Sequence, residues 1–64
     1  MNYEQQFLRR KQVEEITSLS RATLYKLMSE GKFPKSISIA PKIVVWVKQE
    51  IEEWMKGFIE PALA

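Results

Sequence analysis

Histidine, cysteine and aspartate are all absent from this 64-residue chain. With neither thiolate nor imidazole, structural zinc has none of its usual ligands, and no disulfide can staple so small a fold. No nucleophile–base set is visible among the side chains that remain. A chain of this size also rarely encloses a substrate-sized pocket. The composition therefore points away from an enzyme and towards a binding module, with no cofactor expected. Apolar runs are short as well. The longest, Ile43 to Val47, suits a strand and falls far below the roughly 20 residues that span a bilayer. Residues 1–6 are polar and lack the apolar run of a leader peptide. Lack of cysteine suits a reducing compartment. These features predict a soluble cytoplasmic protein without a membrane partner.

Sixty-four residues make one small domain, which buries only about 60% of its unfolded surface. Its stability must come from one apolar set: Phe7, Leu8, Val13, Ile16, Leu19, Leu24, Leu27, Met28, Phe33, Ile37, Ile39, Val45, Trp46, Ile51, Trp54, Met55 and Phe58. The formal net charge is only +2, but the charges are segregated. From Leu19 to Lys48 there are six cations (Arg21, Lys26, Lys32, Lys35, Lys42, Lys48) and one acid, Glu30. Acids gather at Glu14 and Glu15 and again at Glu50, Glu52 and Glu53. The pattern fits a basic face for a polyanion and an acidic rear, or an ordinary solvated surface.

Periodicity orders the elements. Residues 1–6 read as a flexible tail and Phe7–Leu8 as an apolar lead-in. A first helix is predicted from Arg10 to Ile16, with Val13 and Ile16 inward at i, i+3. Thr17-Ser18-Leu19 then forms a turn, with Leu19 plugging the core. Ser20 is placed to cap a second helix that carries Leu24, Leu27 and Met28 on its buried stripe. Gly31 supplies a positive-φ stop, and Pro34 forbids continuation. Ile37 and Ile39 alternate with Ser36 and Ser38 as in a strand. Ala40-Pro41-Lys42 reads as a turn into a second strand, Ile43–Val47. This short hairpin must lean on the helices, with Trp46 as anchor. A last helix starts near Lys48 or Gln49, with its glutamates at the positive end of the dipole. Its stripe is Ile51, Trp54, Met55 and Phe58, and its end is expected near Gly57 or Pro61, leaving residues 59–64 as a tail. The fold class is mainly α with a small β-hairpin, in the order helix, helix, hairpin, helix. A helix, a tight turn and a second helix exposing Arg21, Ala22, Tyr25 and Lys26 form the layout of a DNA-reading helix-turn-helix.

The ordered set Phe7-Leu8-Arg9, Val13, Thr17-Ser18-Leu19-Ser20-Arg21, Thr23-Leu24-Tyr25-Lys26, Gly31-Lys32-Phe33-Pro34, Trp46, Glu50-Ile51 and Trp54 resembles the AlpA family of small prophage regulators. That family is grouped with MerR-like winged helix-turn-helix proteins and phage excisionases. The resemblance covers residues 7–58, which mark the DNA-binding domain. It implies a sequence-specific double-stranded DNA-binding regulator, with its second helix in the major groove and its wing on the adjacent minor groove or backbone. It equally implies a recombination directionality factor that bends DNA and assists integrase. The partners implied are duplex DNA, further copies on repeated sites, and integrase or RNA polymerase. A small protein-binding adaptor without DNA contact is the rival from another class. Three positions depart from the family pattern. Ser18 stands where the family usually has Gly, Ala22 where it often has Ser, and Lys42 where it often has Arg.

Candidate DNA contacts are Ser20, Arg21, Ala22, Thr23, Tyr25, Lys26, Lys35 and Lys42. Arg21 can meet a guanine edge bidentately or clamp a phosphate. The Tyr25 ring can pack on a sugar or thymine methyl while its hydroxyl meets phosphate, or it packs on Phe33 or the wing. Thr23 is either a groove contact or a helix-start hydroxyl, and Ser20 caps with or without touching phosphate. Lys26 and Lys35 suit backbone contacts that fix register. Lys42 at the wing tip suits the minor groove or a flanking phosphate. Arg9, Arg10 and Lys11 form a further basic cluster that either grips backbone or solubilises the tail. Trp46 and Trp54 fall in apolar stripes and read as core. The α-helical glutamates Glu50, Glu52 and Glu53 read as a solvated face.

Overall fold

The computed structural model describes residues 6–63, so the predicted tail lies outside the described residues except for Gln6, and so does Ala64. The first described element is a strand that periodicity does not reveal, β1 (Phe7–Leu8). Leu8 is buried, while Phe7, expected in the core, is 49% exposed.

Helix α1 (Arg10–Thr17) follows directly. The Gln12 side chain accepts the Arg9 backbone N–H at 2.9 Å, which is the backward half of a capping box. Arg9 carries only donors and cannot supply the forward half. At 100° per residue, Arg10, Val13, Glu14 and Thr17 share the inward arc. Val13 is fully buried, and Arg10 and Glu14 pair at 2.8 Å beside it. Ile16 lies beyond the edge of that arc and is 43% exposed, contrary to the i, i+3 expectation. Ser18 ends the helix with φ 62°, in the left-handed region.

Helix α2 (Arg21–Ser29) is capped as its sequence dictates. The Ser20 hydroxyl accepts the Thr23 N–H at 3.2 Å. At the far end, Gly31 has φ 72°. Its N–H donates to the Met28 carbonyl at 3.1 Å, and the Lys32 N–H donates to the Leu27 carbonyl at 2.9 Å. Those crossed bonds form a Schellman motif, which needs the positive φ that glycine gives freely. Leu24 is fully buried, with Leu27 and Met28 packed on the core at its edge.

Strand β2 (Ile37–Ala40) and strand β3 (Ile43–Val47) form the wing. β1 pairs with the opposite side of β3, giving a three-stranded antiparallel sheet in the order β1-β3-β2. Phe7 lies opposite Val47, and Leu8 opposite Trp46. The central strand therefore holds Val45 and Trp46, both buried. On the outer strand the register shifts between Ser38 and Ala40, and Ile39 is left out of the pairing. The bulge and the lack of a covering helix leave Ile37 and Ile39 largely exposed, so neither is a core residue.

Helix α3 (Lys48–Leu63) leaves β3 without a loop. It runs through both expected stops. Gly57 does not adopt a positive φ and so does not terminate it. Pro61 forfeits the bond to the Gly57 carbonyl and its ring crowds that oxygen, but the stretch is exposed, so water can satisfy the carbonyl. Residues 59–63 thus continue the helix rather than forming a tail. Phe58 stacks edge-on against Trp54 yet stays 63% exposed, outside the core.

Both tryptophans are tied to the segment leaving α2. The Trp46 indole N–H donates to the Pro34 carbonyl at 3.2 Å, and Trp54 donates to the Lys32 carbonyl at 2.9 Å. Phe33 packs edge-on against Trp54, with centroids 4.7 Å apart. Gly31 to Pro34 is therefore a clasp joining α2, β3 and α3. The whole is a winged helix-turn-helix, in the helix, helix, hairpin, helix order read from the sequence.

Candidate nucleic-acid interface

Helix geometry decides what α2 offers. Leu24, Leu27 and Met28 occupy the inner arc. The opposite arc is centred on Ala22, Lys26 and Ser29, with Arg21 and Tyr25 on one flank and Thr23 on the other. All six are exposed. Ala22 leaves a small, uncluttered spot in the first turn, where a backbone or base edge can approach closely. The Arg21 guanidinium lies 5.9 Å from the centre of the Tyr25 ring, at the outer range of a cation–π contact. Tyr25 does not pack on Phe33, whose stacking partner is Trp54.

The cap sorts the hydroxyls. Ser20 accepts from the Thr23 N–H and donates to the Thr23 hydroxyl oxygen at 3.0 Å, so its own polar capacity is largely used within the turn. The Thr23 hydroxyl proton remains able to donate outward.

At the wing, Pro41 and Lys42 connect the strands, and Lys42 has φ 64°. Proline's ring holds φ at about −65°, so the pair shows the φ signs of a type II turn. The second position of such a turn prefers glycine or asparagine. Here it carries a cation.

Lys42 and Tyr25 meet across a shallow concavity whose rim also includes Arg9, Arg10, Lys11 and Val44. Arg9 to Lys11, the basic cluster at the start of the first helix, thus lies beside the wing tip. The placement follows from β1: pairing of Phe7 and Leu8 with β3 fixes the start of α1 beside the wing. Two residues of pairing give no readable alternation, so sequence offered no signal for it. Lys35 is exposed on the α2–β2 connection and is not part of this concavity. Glu50, Glu52 and Glu53 are exposed on α3, and none of them lines the concavity either.

A short capped helix with no acid on its outer face, set beside a hairpin tipped by Lys42, is the layout of a winged-helix module. The family model described as "Prophage CP4-57 regulatory protein (AlpA)" matches residues 6–59. The chain belongs to the AlpA family of prophage regulatory proteins. It is also 39% identical over 56 residues to "Uncharacterized protein ORF88" of Enterobacteria phage P4. That match covers 88% of this chain and 64% of the phage protein, so the chain spans just under two thirds of its relative's length. Among the described residues no helix is long and apolar enough to cross a membrane.

Proposed function

We propose that this protein binds double-stranded DNA with sequence preference and regulates prophage genes from the cytoplasm. α2 enters the major groove with Arg21 on a base edge and Tyr25 beside it. Lys26 and Lys35 meet phosphates, and the wing lies on the adjacent minor groove or backbone. Ser20, Ala22 and Thr23 form the close-approach surface at the helix start. The observation that carries this reading is the α2 face: every residue opposite the buried stripe is exposed, and none of them is acidic.

Cations on such a face release counterions when they meet phosphates. With four or five contacts, log affinity falls against log salt with a slope of about −4, at about −0.9 per contact. The test is a gel shift with purified protein on genomic fragments across a salt series. A flat salt response, or no shifted fragment, defeats the proposal and favours a protein-binding adaptor.

The same contacts serve a transcription regulator or a directionality factor that assists integrase. One helix and one wing cover a short site, so both roles call for several copies or a partner such as integrase or RNA polymerase. Mapping the fragments retained separates the roles: sites beside an integrase gene favour regulation, and sites inside an attachment region favour excision.

A further inference from the structure

The concavity between α1, α2 and the wing gathers like charges at a cost. Arg9, Arg10, Lys11 and Lys42 share its rim around the Tyr25 ring, and no carboxylate lines it. Only Arg10 is neutralised, by its 2.8 Å pair with Glu14. Arg9, Lys11 and Lys42 take part in no side-chain ion pair or hydrogen bond among the described residues. Lys11 also borders Glu14 and Glu15 on the other side of α1, so the uncompensated repulsion falls mainly between Arg9 and Lys42. Lys42 adds a second cost, since a non-glycine residue in the left-handed region crowds its own Cβ against the following carbonyl. Strained positions cluster where a ligand uses them.

We infer that this concavity seats the phosphodiester backbone of one DNA strand, so that the start of α1 and the wing tip grip the same strand while α2 reads the groove beside it. The inference rests on the DNA-binding reading above and decides between the two placements of the wing left there: Lys42 takes backbone, not minor-groove base edges. Arg9, Lys11 and Lys42 supply charge from two sides. The Tyr25 hydroxyl is the neutral donor between them, and Val44 gives the seat an apolar wall. Arg21, on the α2 flank of the same tyrosine, stays with the base edges, so Tyr25 couples the reading residue to the gripping ones.

The test is the variant Arg9→Gln/Lys11→Gln/Lys42→Gln, titrated with its preferred duplex and with random duplex over a salt series. Loss of three phosphate contacts flattens the slope by about 2.7, so between about 50 and 200 mM salt the wild type loses about fortyfold more affinity than the variant. The ratio of preferred to random binding stays unchanged, because phosphate contacts carry no sequence information. A duplex carrying neutral methylphosphonates beside the site weakens the wild type and leaves the variant unaffected. If the triple variant does not fold, Lys11→Gln and Lys42→Gln singly each flatten the slope by about 0.9. An unchanged slope overturns the inference while leaving DNA binding intact. A changed preference for A·T or G·C flanks in Lys42→Gln overturns it in favour of minor-groove reading. Failure of the wild type to bind any duplex removes both proposals.

Discussion

The indole N–H of Trp54 reaches back 22 residues to the carbonyl of Lys32, at 2.9 Å. Lys32 is also the residue whose own N–H closes the Schellman cap of α2. The last helix is thus fastened to the point where the reading helix ends. Trp54→Phe keeps an aromatic surface against Phe33 and loses the hydrogen bond. It costs about 1 kcal/mol, seen as a fall in Tm of about 4–8 °C.

Trp46 is fully buried and bonds Pro34. Trp46→Ala removes the largest core side chain at a cost of about 3–5 kcal/mol. A domain of this length has about 3–10 kcal/mol in total. A thermal melt followed by circular dichroism is expected to show a Tm lowered by at least about 12 °C, or no folded baseline at all. A cooperative transition near the wild-type Tm would contradict the assignment of Trp46 as the anchor of the fold.

Among the described residues, the two non-glycine positions with positive φ, Ser18 and Lys42, make opposite functional predictions from the same backbone chemistry. Ser18→Gly relieves the left-handed strain at the end of α1 and stabilises by about 1 kcal/mol, with DNA affinity unchanged. Lys42→Gly gives a similar gain in Tm and weakens binding to every duplex. Thermal melts and titrations on the same two proteins separate the effects.

Gly31 has open space around its Cα, so an added methyl meets no neighbour. Any loss in Gly31→Ala is therefore due to φ 72° alone, and amounts to about 1–2 kcal/mol. Gly57→Ala, in mid-helix and equally open, is expected to stabilise by up to about 1 kcal/mol. Chemical denaturation of the pair gives midpoints displaced in opposite directions.

Arg21→Ala weakens the preferred site by about five- to 150-fold more than random DNA, the loss of one bidentate base contact. Lys26→Ala lowers both affinities together. Equal losses for Arg21→Ala on the two duplexes would remove that residue from base reading.

Local chemistry made α2 legible in full. Ser20, the stripe at Leu24, Leu27 and Met28, and Gly31 each act within one turn of their own position, so sequence and structure agree there. Interactions across the chain were less visible. β1 exists because Val47 and Trp46 offer a free strand side to Phe7 and Leu8, and a two-residue pairing leaves no period to detect. Ile16 met the helical spacing rule, yet the arc turned inward is set by where β3 and α2 lie. Ile37 and Ile39 met the strand rule, but the bulge and the outer position of β2 left them uncovered. α3 outran its expected stops because a glycine ends a helix only when its φ changes sign. At the candidate interface the α2 residues were readable from one helix's periodicity. The neighbourhood of Arg9, Lys11 and Lys42 was not, since three separate elements create it.

The backbone N–H of Lys48 donates to the carbonyl of Gln6 at 2.9 Å, just ahead of the two rungs that bind Phe7 and Leu8 to β3. Cargo fused upstream of Gln6 therefore hangs from the root of the wing. A label or affinity handle attached there leaves from beside Lys48, at the opposite end of β3 from Lys42, whereas one placed after Leu63 is carried on the end of α3. For binding work, the choice of attachment point is part of the experiment.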